Sequence, residues 1–541
     1  MAEPPSEVES HDQEVSFSRT NEDEDEKDMP TPDFHDVALK IERASEVYRG
    51  YSEVVDNPSR PEIWIWFFYE FCSYFIHTVL LPVLFPLHIS PIKRLAKQTA
   101  RYGRGLMCTT SEIQLYEALT QRSIPVGKSK FSPLEWTSFS WAIGLFLAAI
   151  VIASLSTHFD HGQKHAVISG AAIAIGTFFC LPTGFFNVTW IFPPYIAAIV
   201  TAYIITTAGH TRHLGVMVRG FTGPTIQKNQ FHFRRRISNW LSLHATAAGS
   251  FGSAIISAFV YHMLEKNEKF LSFWVVSIFS GIIWILGIPH IFFFKPGPTT
   301  LFPVSPVAHF LSIFNFPHAY ANLLVAFLAS FTAMNIFTTV VLYLIGQLCL
   351  KPVFVLFLWL TYFIFPLVAM PLVQPLQLLI KSNGVKMYLL GFYLSTLTSG
   401  FAFYFRGKIW ERHHIMTFAG LQSTSVGLLY AFGRVVLLDC TPHGKEGVFS
   451  AWLSWIRSFG TCAGFTVAAA MPKNTGTCLA ISFWSAVAGG LFLIYSNISD
   501  TGGARRAWNL IEEGDEFGSP VQGLDNTTAE PSKKTNHEGA Q

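Results

Sequence analysis

The chain has 541 residues, half of them hydrophobic and only 14% charged, which is too apolar for an ordinary soluble domain, where about 25% are charged. A net charge of +2 gives no sign of a nucleic-acid partner. The seven cysteines are scattered without a C-x-x-C pair, so neither a disulfide framework nor a metal site is indicated, and nothing calls for a cofactor.

Residues 1–60 are polar and include the acidic run Glu22–Glu26. Such a segment cannot bury a core and reads as a disordered tail. Within it, Tyr51-Ser-Glu-Val54 fits a tyrosine-based sorting pattern, a short match that also arises by chance. The first apolar run begins too late for a cleavable signal, so the first span is expected to act as an uncleaved anchor.

Apolar runs then recur at 63–88, 135–158, 165–186, 188–209, 237–262, 270–294, 318–347, 352–380, 386–405, 415–438, 448–470 and 475–497. Each is near the ~20 residues that cross a bilayer as a helix. In lipid a span must satisfy its own backbone hydrogen bonds. The expected fold is therefore all-α, a polytopic membrane protein of twelve transmembrane helices.

A Pro- and Gly-rich stretch, 295–314, divides the runs into six-helix halves at 61–294 and 315–498, followed by a polar tail at 499–541. Residues 504–513 of that tail read as a short surface helix. Two six-helix halves around a cavity is the major facilitator architecture. An even span count puts both termini on one side. Arg219, Lys228, Arg234, Arg235 and Arg236, with Arg49, Arg60, Arg505 and Arg506, mark that side as cytoplasmic. The loop 90–132 opposes this with Lys93, Arg94, Lys97, Arg101, Arg104, Arg122, Lys128 and Lys130, but long loops translocate with less regard to charge.

Two polar motifs stand out. Between spans 2 and 3 the chain reads His158-Phe-Asp160-His-Gly-Gln-Lys164. An acid here can sit at a neighbouring helix N-terminus, where the dipole favours negative charge, with Lys164 at the surface. The alternatives are a conformational latch and a plain turn. After span 10 the chain reads Gly433-Arg434, then Asp439, Pro442, Gly444, Glu446 and Phe449. This is a helix that stops at an acid and a proline, turns on glycine and restarts with Glu at its N-terminus.

That second segment resembles the fungal autophagy-related vacuolar amino-acid effluxers, a branch of the major facilitator superfamily. Arg434, Asp439, Pro442, Gly444, Glu446 and Phe449 match the spacing, as does the later Gly464. Trp66-Phe-Phe-Tyr-Glu70-Phe resembles the family's first span, and the Asp160 loop its span 2–3 loop. The family's charged pair in span 11 is replaced by Arg457 and Ser458. The resemblance implies a twelve-helix transporter in a vacuolar or other endomembrane, with amino-acid efflux linked to autophagy.

An ionisable group inside a span costs roughly 2.5–3.5 kcal/mol on insertion scales and needs a reason. Glu70 is the clearest: it can carry a proton, hold a substrate ammonium or tie span 1 to a neighbour. Arg434 can grip a substrate carboxylate or pair with an acid such as Asp439 at the gate. Arg457 reads as an interfacial pairing or a path residue. His77 and His244 are each a relay or a satisfied core histidine. His318 reads as solvent-facing. Asn335 in span 7 and Asn187 between spans 3 and 4 are candidates for the solute or proton path, alongside a turn role for Asn187. Asn187-Val-Thr189 is a glycosylation sequon in a hairpin too tight for efficient modification. Asp160, Lys164, Asp439 and Glu446 are the expected latch or gate. The small residues of Ala245–Ser253 form an expected close-packing face.

No metalloprotease, phosphate-loop or nucleophile-elbow signature occurs in a fitting context, so an enzyme is not indicated. The expected function is a secondary transporter of small polar solutes in a lipid bilayer, with protons as the coupling ion. The alternative is a non-transporting scaffold or lipid-handling protein that keeps the fold. A central polar cavity lined by spans 1, 4, 7 and 10 favours the first; Phe and Leu filling that space favours the second.

Overall fold

The computed structural model describes residues 57–90, 110–161, 164–186, 188–222, 231–266, 271–294, 305–348, 350, 352–407, 410–441 and 445–496. The terminal tails, the Tyr51–Val54 pattern, the cations from Lys93 to Arg104, Asn187, Lys228, the first part of the linker, and Pro442 and Gly444 lie outside these residues.

Twelve long helical segments run through the described residues: α1 Arg60–Ile89, α2 Pro133–Asp160, α3 His165–Cys180, α4 Phe192–Thr222, α5 Phe231–Lys266, α6 Leu271–Ile285, α7 Pro317–Gly346, α8 Pro352–Leu379, α9 Gly384–Tyr404, α10 Arg412–Asp439, α11 Glu446–Ala470 and α12 Thr475–Tyr495. Ten of the twelve spans are apolar enough to cross a membrane on mean hydropathy alone. The other two are α9, diluted by Ser, Thr and Lys386, and α11, which carries Arg457.

Local chemistry sets the ends. Before α1, Ser59 Oγ accepts from Glu62 N at 3.3 Å, and Glu62 Oε2 accepts from Ser59 N at 3.2 Å. Ser132 and Glu135 repeat this reciprocal cap before α2, with contacts of 3.2 and 2.8 Å. Each cap satisfies helix-terminal N–H groups, and each helix therefore starts a turn or less before its apolar run. In α1, residues Ile76–Leu84 widen into a π-helix around Pro82, which lacks the N–H that an α-helical bond requires.

Burial sorts the spans. In α1, 89% of the apolar window is buried against protein, and in α10 78%, so these two are central. In α2, α3 and α12 only 39% is buried, and Phe146, Phe178 and Trp484 face outward. Outward aromatic and aliphatic side chains are the expected surface of a protein solvated by lipid. The first six helices meet the second six where α2 and α4 pack on α11, and where α5 packs on α8 and α10. The small-residue stretch of α5 packs on α1: a Cβ at Gly252 would collide with the Phe71 carbonyl, and one at Gly249 with Tyr74.

Between α1 and α2 the chain adds a short helix, Thr110–Thr120, and a hairpin pairing Ile124–Val126 with Ser129–Phe131. Tyr116 of that helix lies against Gly346 at the end of α7. At the opposite face, helix Pro306–Leu311 leads into α7. It touches α2 through Ser156 Oγ, which donates to Pro306 O, and α11 through Trp452 Nε1, which donates to Phe310 O at 2.8 Å.

Candidate functional site: a polar cavity between the halves

The π-widened part of α1 faces a cavity between the halves. Tyr74, His77 and Thr78 of α1, Tyr203, Thr207 and Thr211 of α4, Ser330 of α7 and Ser423 and Tyr430 of α10 line it, with contributions from α5, α8, α9 and α11. Spans 1, 4, 7 and 10 thus surround the space, whose hydroxyls are set in a mostly apolar wall that includes Phe337, Phe363, Leu429 and Leu453. His77 Nδ1 and the Tyr203 hydroxyl are 2.6 Å apart, and Thr78 Oγ1 and Ser253 Oγ 2.9 Å.

Arg457 is the cation of this lining. Its guanidinium donates to Tyr430 O at 2.7 Å and lies 4.4 Å over the Tyr430 ring. No carboxylate pairs with it among the described residues. A cation held by a carbonyl and a π face keeps donor capacity for an incoming acceptor.

Next to the cavity, Glu70 and Arg434 meet across the halves. Arg434 Nη2 donates to Glu70 Oε1 at 2.9 Å, and both side chains are almost fully buried. Tyr430 lies between the two guanidinium groups, 4.9 Å from that of Arg434. His210 Nε2 is 2.7 Å from Glu70 Oε2. Glu70 therefore faces α10 and α4 rather than lipid.

Further ties lie toward the end of the molecule where α1 begins. Asp160 ends α2 at the start of α11. Its Oδ1 accepts from Gly447 N at 2.5 Å, and its Oδ2 from Val448 N at 3.0 Å. These are free helix N-terminal donors, where an anion is favoured by charge and by hydrogen bonding. Gly447 permits the approach, since a Cβ there would strike the Phe159 carbonyl. His309 Nε2 is 3.0 Å from Asp160 Oδ2, so the linker joins the tie. Burial pushes the adjacent His161 below its ordinary pKa. Arg235 of α5 reaches Asp439 of α10 at 3.0 Å, and Arg219 of α4 reaches Glu446 of α11 at 3.0 Å.

The other candidates separate. Lys164 is exposed at the start of α3. Asn335 lies away from the cavity lining: its Nδ2 donates to Cys478 O at 3.0 Å and Ser482 Oγ at 2.9 Å, joining α7 to α12. His77 faces the cavity, whereas His244 bonds back to Trp240 O at 2.9 Å within α5. His318 is half-buried at the start of α7. Sequence reading passed over the five tyrosines of the wall and the histidines His210, His213 and His290. The signal for His210 and His213 was their spacing, which sets both on one face of α4 toward the acids Glu62 and Glu70.

No protein-family model matches the chain, and no curated protein sequence matches it. Solved structures do. The human organic anion transporter MFSD10 (TETRAN) aligns over 81% of this chain and 100% of its own, with a TM-score of 0.54 at 13% identity. A bacterial homologue of the iron transporter ferroportin, in an outward-facing state, aligns over 81% of this chain and 99% of its own, with a TM-score of 0.52 at 12% identity. At such identity the likeness is one of architecture: the chain is an all-α, multi-pass membrane protein with the fold of the major facilitator transporters.

Proposed function

We propose that the protein is a secondary transporter that moves a small polar solute by alternating access between halves 61–294 and 315–498. The observation that carries this reading is the cavity between the halves, in whose largely apolar wall Arg457 and a set of Tyr, Ser and Thr hydroxyls stand, with inter-half ties grouped toward one end. Phe337, Phe363, Leu429 and Leu453 also line this space, but a scaffold that had lost transport would have no reason to keep Arg457 in it with no paired carboxylate among the described residues. One structural neighbour is an organic anion transporter and the other a homologue of an iron transporter, which supports the reading.

The solute carries an anionic group that docks on Arg457. An amino acid fits on its carboxylate side; its ammonium would rest on tyrosine faces, since no carboxylate lines the cavity. Asp160, Asp439 and Glu446 form the gate, closed in this conformation, and Glu70 couples solute movement to protons. The cationic residues Arg219, Arg234, Arg235 and Arg236 support a cytoplasmic location for that end and for both termini. Efflux from a vacuole or another endomembrane compartment follows from the family resemblance at Arg434–Phe449.

The test is uptake by proteoliposomes from a mixed metabolite panel. Anionic and zwitterionic solutes should enter and cationic ones should not, and Arg457→Gln should abolish entry. Selective uptake of cations, or no uptake of any solute by well-folded protein, overturns the proposal.

A further inference from the structure

A second polar system lies inside the first half, away from the cavity lining. Glu62 of α1 sits in the first turn of the helix but is only 4% exposed. His213 Nε2 of α4 is 2.8 Å from Glu62 Oε1. His213 Nδ1 is 3.1 Å from Nε2 of His290, in the turn that follows α6. The His290 ring lies edge-on to that of His210, 5.0 Å between centroids, and Tyr69 packs against both. His210 Nε2 then reaches Glu70 Oε2 at 2.7 Å. All five ionisable groups are at most 4% exposed.

We infer that Glu62, His213, His290 and His210 form a proton path between the N-terminal end of α1 and Glu70. The contacts fix a consistent proton order. A neutral His213 that donates through Nε2 to the Glu62 carboxylate must accept at Nδ1, so His290 donates through its Nε2. A proton arriving on His290 Nδ1 then moves the Nε2 proton to His213 Nδ1, and His213 passes its own Nε2 proton to Glu62. Each imidazole takes one proton and gives one, so the charge is conserved and two ring flips restore the starting tautomers. The reverse sequence delivers a proton inward. The gap between His290 and His210 is crossed by rotation of the His210 ring, which is free to turn because neither of its buried nitrogens has a hydrogen-bond partner among the described residues, Nε2 lying only at ion-pair distance from Glu70.

A set of histidines kept only for packing would not require two carboxylates at its ends or the hydrogen-bond contacts of His213 at 2.8 and 3.1 Å. Other groups face the path. Arg434 and Tyr430 of α10 face Glu70, and Phe294 faces His213 and His290. In the tied conformation Arg434 neutralises Glu70, so proton exchange belongs to a state in which the halves have parted. This inference takes its purpose from the transport reading, but the proton movement is measurable without a solute.

The test uses the full chain in lipid nanodiscs with Arg434→Gln, which frees Glu70 from the guanidinium. A pH jump is followed by rapid-mixing infrared spectroscopy at the protonated-carboxyl band, assigned to Glu70 by its loss in Glu70→Gln. Adding His290→Phe, or separately His213→Gln, should slow the rise of that band about tenfold, a difference equivalent to ~1.4 kcal/mol in barrier. The milder His213→Gln keeps the test open if His290→Phe misfolds. An unchanged rate in the folded variants overturns the path, as does a Glu70 band that never appears. Proton movement without uptake of any solute would sink the transport proposal and leave the path standing.

Discussion

The two halves handle buried polarity differently. In the first half, ionisable groups face one another: Glu62 meets His213, His213 meets His290, and Glu70 meets His210. In the second half, internal polarity is almost all neutral. Asn335 bonds Ser482 and Cys478, Ser395 bonds Ser425 at 2.6 Å, and Thr398 bonds Gln422. The second half's buried charges, Arg434, Asp439 and Glu446, point across to the first half, and the half-buried Arg457 lines the cavity. Neutral hydrogen bonds hold a helix bundle together in lipid without storing charge. On the proposed transport reading the difference is a division of labour: the first half takes and passes protons, and the second supplies Arg457 to a solute site that both halves line.

The largest effect expected from this contrast is at the Glu70–Arg434 pair. Replacing Arg434 with Leu leaves a buried carboxylate without its counter-charge and should cost roughly 3–5 kcal/mol, seen as a fall in thermal stability of the purified protein. Replacing both with Gln and Met together should recover much of that loss. Recovery would mean that the pair serves coupling rather than folding.

Arg457→Gln should leave stability nearly intact, because the guanidinium is held only by a carbonyl and a ring. Solute binding should weaken by the ~1.5–3 kcal/mol of a charged hydrogen bond, or about 10- to 150-fold in Kd, read by calorimetry. Asn335→Leu should do the reverse. It should lower stability by about 1–3 kcal/mol through its stranded partners and leave the Kd unchanged. If both substitutions moved the same quantity, the separation of solute site from scaffold would collapse.

The smallest effect belongs to Asp160→Asn, which removes a charge from a helix N-terminus but keeps an acceptor. A change of about 0.3–2 kcal/mol should appear in the balance between open and closed states rather than in expression level.

These contrasts were unevenly legible in the sequence. Span positions were readable because lipid demands long apolar runs, and the early starts of α1 and α2 were hidden only because Ser59 and Ser132 extend each helix through a cap. Glu70 was visible as a lone acid among aromatics. Its partner was not, because Arg434 lies 364 residues away and could equally have met the nearby Asp439. Asp439 instead pairs with Arg235, a cation that sequence reading had assigned to topology. An asparagine in an apolar run looks the same whether it faces a cavity or a neighbouring helix, so the site of Asn335 required coordinates. The histidines escaped notice because a neutral imidazole barely disturbs hydropathy, and His290 reaches His213 only through the turn after α6.

The claim that the ties open together is tested most directly at Cys440. This thiol follows the Arg235–Asp439 tie, is 1% exposed, and burial pushes its pKa up to about 12. With the other cysteines replaced, maleimide labelling at pH 8 should be very slow while the ties hold. When they part, the thiol should return toward its ordinary pKa near 8.5 and label rapidly. Asp160→Asn and Arg434→Gln, each on a different tie, should both accelerate labelling of Cys440. Labelling that rises only when Asp439 or Arg235 is altered, and ignores Asp160 and Arg434, would contradict a gate that moves as one.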